Sequence, residues 1–245
     1  MNTVKLWTRN FRLVILASAM GTLGSIVGGF ALAFLVFDET GSTLASALIV
    51  AIQLVPYLLL PILIAPLMDR LPRKAFLVAG DVANAILLAG MGIWLLFFEF
   101  SYVGYLAVSL LLSCLGATDE LAFTSIYPEL IPKGAEQKGY AVSSMLYPVL
   151  KVILTPLAAV LLDAIGVAWI LIAQSILSLA AAITESFIHA EKTKQERNMQ
   201  YSLRAWGEDI LEAVRYLKKE RGLRSIFGYM AVTNGVSDGF SPILV

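Results

Sequence analysis

The sequence predicts an all-α membrane protein: a bundle of six spanning helices built as two inverted three-helix repeats, followed by a partial seventh helix. Three observations predict it. Apolar residues make up 58% of the 245 positions and charged residues only 15%, against ~25% charged in an average soluble domain. A soluble fold could not hide that much apolar surface, so the excess has to face lipid. The apolar residues also gather into six runs long enough to cross a bilayer, and the basic residues keep to alternate connections between those runs.

A spanning helix needs ~20 mostly apolar residues. The runs at 13–37, 44–68, 75–98, 101–123, 139–163 and 166–188 meet that length, and a seventh begins near Leu223. None shows period-two alternation, and lipid admits only helices or closed barrels because backbone polar groups find no water there. Helices follow. The first run is far longer than the ~7–15 apolar residues of a signal peptide, so it is read as a retained span.

Seventeen of the 18 Lys and Arg fall in the leader (Lys5, Arg9, Arg12), the second-to-third connection (Arg70, Arg73, Lys74), the fourth-to-fifth connection (Lys133, Lys138) or the segment after the sixth run. The intervening connections hold only acids: Asp38, Glu39, Glu99 and Asp163. By the positive-inside rule the N-terminus and all basic segments face the cytoplasm, in a multi-pass protein of the cell (inner) membrane. Three domains are expected: a six-span bundle over 1–189, a cytoplasmic linker over 190–222, and the first span of an incomplete C-terminal half over 223–245. In the linker, Trp206, Ile210, Val214, Leu217 and Arg221 recur at helical spacing. That pattern fits an amphipathic helix on the inner leaflet and a solvated linker helix equally well.

Two segments repeat weakly. Ala65-Pro66-Leu67-Met68-Asp69-Arg70-Leu71-Pro72 follows the second run, and Ala159-Val160-Leu161-Leu162-Asp163-Ala164-Ile165-Gly166 follows the fifth. Each places Asp after a leucine-containing turn, with a helix breaker three residues on. A three-span unit inverts its successor, and inverted repeats of this kind recur in secondary transporters.

The first of these segments, continued by Arg73 and Lys74, resembles the loop motif Gly-x-Leu-x-Asp-Arg-x-Gly-Arg-Lys of the major facilitator superfamily, with Ala65 and Pro72 in place of the glycines. Tyr127-Pro128-Glu129-Leu130-Ile131-Pro132 and the Thr40-Gly41-Ser42 step resemble the superfamily's macrolide and siderophore exporter branch. The resemblance covers the whole chain and implies a secondary active exporter of a small amphiphilic compound, drug- or siderophore-like, working by alternating access. It implies a gating loop in which Asp69 latches the cytoplasmic side with Arg70, Arg73 and Lys74 as charge partners. It also implies a coupling proton, although the span-four arginine of proton-coupled members is missing and Thr155-Pro156-Leu157-Ala158-Ala159 loses both glycines of the antiporter motif. Such transporters have two six-span halves. This chain therefore reads as one half, completed by a missing C-terminal half or a second copy. The alternative is a truncated or non-transporting remnant or scaffold of the same fold.

Charges at membrane depth are costly and mark function. Lys151 and Asp238 fall near mid-bilayer in their runs and are expected to pair, directly or through substrate. Asp81, beside Asn84, either faces a basic connection or lines the cavity. Gln53, Tyr57, Ser143, Ser144, Tyr147 and Gln174 are mild donors suited to a bulky apolar substrate, each also suited to helix packing. Asp119, Glu120 and Glu185 are read as helix-end groups in contact with water. Gly24 and Gly28 have the spacing of a close helix contact. One His and one Cys cannot build a zinc site, and no Gly-Lys-Ser/Thr loop exists for a nucleotide. No enzyme, cofactor or nucleic-acid partner is expected; the partners are the bilayer and a small-molecule substrate.

Overall fold

The computed structural model describes residues 5–68, 71–189 and 203–220, together with 222, 225, 226, 228, 229 and 233. The chain forms two compact units, Met1–Met199 and Gln200–Val245. The first holds α1 (Arg9–Thr40), α2 (Thr43–Met68), α3 (Arg73–Phe97), α4 (Tyr102–Leu130) and α5 (Glu136–Ser186). All five are long and apolar enough to cross a membrane. The second unit holds α6 (Leu203–Lys219). Among the described residues there are no strands.

The 51-residue α5 is two helices joined at Gly166, whose φ of 76° and ψ of 168° break the helical path. Its two ends return to the same place: Ala135 and Ile188 share a buried cluster with Phe11 and Val14 of α1, Met68 of α2, Leu77 of α3 and Tyr127 of α4. We call this the basic end, since Lys5, Arg9, Arg12, Arg73, Lys74, Lys133 and Lys138 gather there in sequence. At the opposite end Val36, Ile49, Met91, Tyr105 and Leu171 form a second cluster. Helices α1, α3 and the first arm of α5 therefore run one way, and α2, α4 and the second arm run the other. Six crossings result.

The packing pairs obey the inverted repeat. The first arm of α5 lies on α1 through Val27, Ala31, Leu154 and Ala158, and its counterpart α2 lies on α4, the counterpart of α1. The third members of the two repeats, α3 and the second arm of α5, face one another. Ser175 there donates to the Ala85 carbonyl at 2.8 Å. Breakers end the equivalent helices: α2 stops at Met68, Pro72 caps α3, and Gly166 divides α5.

Local chemistry explains the connections. Thr8 caps α1 by accepting from the Phe11 N–H at 3.3 Å. Gly41, at φ 60°, closes it by donating to the Phe37 carbonyl at 2.8 Å, the left-handed helix stop that glycine favours. Ser42 then accepts from Ala45 N–H at 3.3 Å and starts α2. The Thr40-Gly41-Ser42 step is thus a stop and a start in adjacent residues. Exposed Trp7 lies near the basic end, and Trp94 and Trp169 lie toward the other, where indole rings suit the membrane interface.

The largest boundary difference is at the fourth span: the apolar run ends at Phe123, but α4 continues two turns further to Leu130. The polar residues that ended the apolar window satisfy themselves within the helix. Thr124 donates to the Glu120 carbonyl at 2.9 Å and Ser125 to that of Leu121 at 2.7 Å.

Two glycine contacts set helix spacing. Gly24 and Gly28 form a notch on α1 filled by the Gln174 side chain. Gln174, a cavity candidate by sequence, is therefore a packing residue. At Gly92 an added Cβ would lie 2.9 Å from the Ala168 carbonyl oxygen and 2.8 Å from Ile172 Cγ1. Backbone cannot swing aside, whereas the Gln174 amide can. Gly92→Ala is expected to cost about 1–3 kcal/mol of stability by wedging α3 from α5, and Gly28→Ala less. Thermal unfolding of the purified variants checks that order.

Candidate functional site

A cavity of about 500 Å³ opens among α1, α2, α3, α4 and both arms of α5. Its α1 wall runs from Ile15 to Ser25, a rise of ~15 Å at 1.5 Å per residue. Small side chains make the space: Ala17, Ser18, Gly21, Thr22 and Ser25 line that wall. Tyr57 enters from α2 because Gly116 on α4 has no side chain. A Cβ there would sit 2.5 Å from the Tyr57 hydroxyl.

The acidic side chains are the distinctive feature. Asp81 of α3, Asp119 and Glu120 of α4, and Glu185 of the second arm all line this cavity. Asp81 and Glu185 are buried, and Glu120 is exposed. Asp119 Oδ1 and Glu185 Oε2 are shielded from water and have no hydrogen-bond partner among the described residues. Asp81, Asp119 and Glu185 come from three different walls of the one space. This corrects the helix-end reading of Asp119 and the water contact expected of Glu185, which does stand at the end of α5. Because α4 runs on to Leu130, Asp119 is eleven residues, or ~16 Å, from its helix end. Packing of the second arm against α3 turns Glu185 inward. Among the described residues no group of three or more His, Cys, Asp and Glu is placed to hold a metal ion.

Of the residues singled out by sequence, Asp81, Tyr57 and Tyr147 meet at this cavity, with Asn84 and Ser143. Lys151 is exposed one turn beyond Tyr147, its Nζ 5.6 Å from the Tyr147 ring centre. It does not line the cavity, nor does Gln53, which sits half-buried one turn before Tyr57. Asp69, Arg70 and Asp238 lie outside the described residues, as does most of the segment from Leu223.

Arg73 and Lys74 fasten the basic end. Arg73 pairs with Glu129 at 2.8 Å and also donates to the Ser125 carbonyl at 3.0 Å. Lys74 donates to the Ser186 and Ile188 carbonyls at 2.5 and 2.8 Å. These carbonyls close the second arm of α5, where a cation complements the helix dipole. The Tyr127–Pro132 segment belongs to the same fastening. Tyr127 donates to the Gly139 carbonyl at 2.7 Å, Glu129 receives Arg73, and Leu130 and Ile131 enter the buried cluster.

Six apolar crossings in two inverted triples, around a polar cavity, define a multi-pass membrane protein of transporter architecture. The Major Facilitator Superfamily model matches residues 13–244, and the chain belongs to that superfamily of membrane transporters. No curated protein and no solved structure shows significant similarity to it.

Proposed function

We propose that the chain is the substrate-handling part of a secondary exporter that moves a small amphiphilic compound out of the cell by alternating access. The observation that carries this reading is the cavity itself. It sets three aromatic rings, Tyr57, Phe123 and Tyr147, among many polar side chains inside a superfamily bundle, and ~300–1,000 Å³ is the usual size of a small-molecule site. The N-terminus and the basic end face the cytoplasm of the inner membrane, supported by the segregation of Lys and Arg.

Asp69 acts as the gating latch, with Arg70, Arg73 and Lys74 around it. Its support is the motif resemblance together with the fastening of α3 through Arg73 and Lys74, which gives the loop a fixed point of departure. Lys151 and Asp238 pair outside the cavity, supported by their place as charges within apolar runs, and a proton supplies the driving force.

Uptake into everted membrane vesicles tests the reading. Vesicles containing the chain are expected to accumulate amphiphilic fluorescent dyes when the interior is acidified, and to release them when a protonophore is added. Asp69→Asn is expected to reduce the rate at least tenfold at unchanged protein level. Absence of accumulation above vesicles lacking the chain overturns the proposal.

A further inference from the structure

We propose that Tyr105 and Ser109 of α4 hold an internal water molecule, in a second polar site separate from the cavity and toward the end opposite the basic one.

Both residues are deeply enclosed. Tyr105, in the first turn of α4, is 4% exposed and belongs to the buried cluster with Val36 of α1, Ile49 of α2, Met91 of α3 and Leu171 of the second arm. Ser109 follows one turn on and is 1% exposed. Residues four apart lie on one face of a helix, so the two hydroxyls come from the same stripe of α4. Neither hydroxyl has a hydrogen-bond partner among the described residues.

Their neighbours behave differently. Ser113 donates to the Ser109 carbonyl at 2.9 Å, Thr118 to that of Cys114 at 2.8 Å and Ser125 to that of Leu121 at 2.7 Å. The Tyr105 carbonyl stands in the same relation to Ser109, yet the Ser109 hydroxyl does not bond to it. Other tyrosines also find carbonyls: Tyr102 donates to Ala45 at 3.1 Å and Tyr127 to Gly139 at 2.7 Å. The two exceptions on α4 therefore fall together. Buried hydroxyls are nearly always satisfied, and one without a bond costs free energy. A single occupant that both donates and accepts relieves the pair, since each hydroxyl can do either. Two neutral hydroxyls cannot offset the desolvation of an ion, so the occupant is neutral, and the enclosure keeps it small. Water meets these demands. Buried waters make ~3 hydrogen bonds. Ser113, one turn beyond Ser109, has spent its proton on the Ser109 carbonyl and keeps lone pairs for a third. Water here anchors the Tyr105 ring within a cluster that joins four of the six crossings.

Hydroxyl-radical footprinting of the purified full chain probes the site, because radicals formed from a bound water oxidise the side chain beside it. Tyr127 is the control, being 2% exposed with its hydroxyl bonded to protein. Tyr105 is expected to be oxidised at least fivefold faster than Tyr127, and Ser109→Ala to lower that rate at least threefold. Thermal unfolding supplies a second readout. If the hydroxyls share one water, Tyr105→Phe and Ser109→Ala each lower the melting temperature by about 2–4 °C, and the double variant falls no further than the worse single one. Bare hydroxyls give the opposite sign, since each substitution then removes an unsatisfied group. Oxidation of Tyr105 no faster than that of Tyr127 overturns the proposal. So does a raised melting temperature in both single variants, or losses that add in the double variant. The wild-type oxidation rate decides even where a variant does not fold. None of these readouts involves transport, so the water site stands or falls independently of the exporter reading.

Discussion

Glu185→Gln is expected to stabilise the protein while lowering transport at least tenfold. The carboxyl group is buried, one of its oxygens has no partner among the described residues, and Asp81 and Asp119 line the same cavity. An uncompensated buried polar group costs about 1–3 kcal/mol, and the penalty is greater when it is ionised. Glutamine keeps the shape and has no charged form for burial to penalise. A gain of about 1–2 kcal/mol corresponds to roughly 2–8 °C in a chain of this size. Glu185→Ala keeps none of the volume and is expected to fall below Glu185→Gln in stability. The contrast separates a site residue from a packing residue: groups held for ligand are retained against stability. Thermal unfolding and vesicle uptake, measured on the same preparations, check both halves. A Gln variant that is less stable than wild type and fully active sinks the idea.

Much of the fold was legible because the bilayer simplifies the code. A run such as 44–68 has to be a helix if it spans lipid at all, and α2 occupies Thr43–Met68. The inverted repeat was legible in the two Asp segments, since their breakers, Pro72 and Gly166, stand at equivalent helix ends. The end of α4 was not. A hydropathy window scores Thr124 and Ser125 as polar and cannot register that each bonds to its own helix.

The cavity was half legible for a similar reason. Asp81 and Tyr57 stood out as polar groups inside apolar runs. Asp119 and Glu185 did not, because sequence position near a helix end says nothing of which way a side chain points. Tertiary packing decides that. A trace was nonetheless available: Gly80 precedes Asp81 and Gly116 stands one turn before Asp119. An added Cβ at Gly80 would lie 3.8 Å from Asp119 Oδ1. Gly80 thus marks the face of α3 that Asp119 approaches, while Gly116 makes room for Tyr57. Gln174 shows the converse, since its polarity suggested a cavity while its side chain fills the Gly24 and Gly28 notch.

Gly166→Ala is expected to destabilise the protein by about 1–3 kcal/mol, all of it through the backbone. Nothing lies within 4 Å of the position its Cβ would take, so crowding plays no part. The cost comes from φ 76° with ψ 168°, a region that is essentially glycine's alone. Gly41 is the internal control. Its φ of 60° and ψ of 11° place it in the left-handed helical region, which asparagine tolerates. Asparagine is therefore expected to substitute at Gly41 with little loss and to give no relief at Gly166, even though both glycines end a helix in open space. The consequence at Gly166 also reaches further. Ile170 and Leu171 follow within two turns and belong to different buried clusters. Any torsion the chain relaxes at the joint has to be taken up by displacing the second arm, and Glu185 rides on that arm. Thermal unfolding of the Ala and Asn variants at both glycines tests the backbone argument. Equal losses at the two positions would show that the joint between the arms carries no conformational demand of its own.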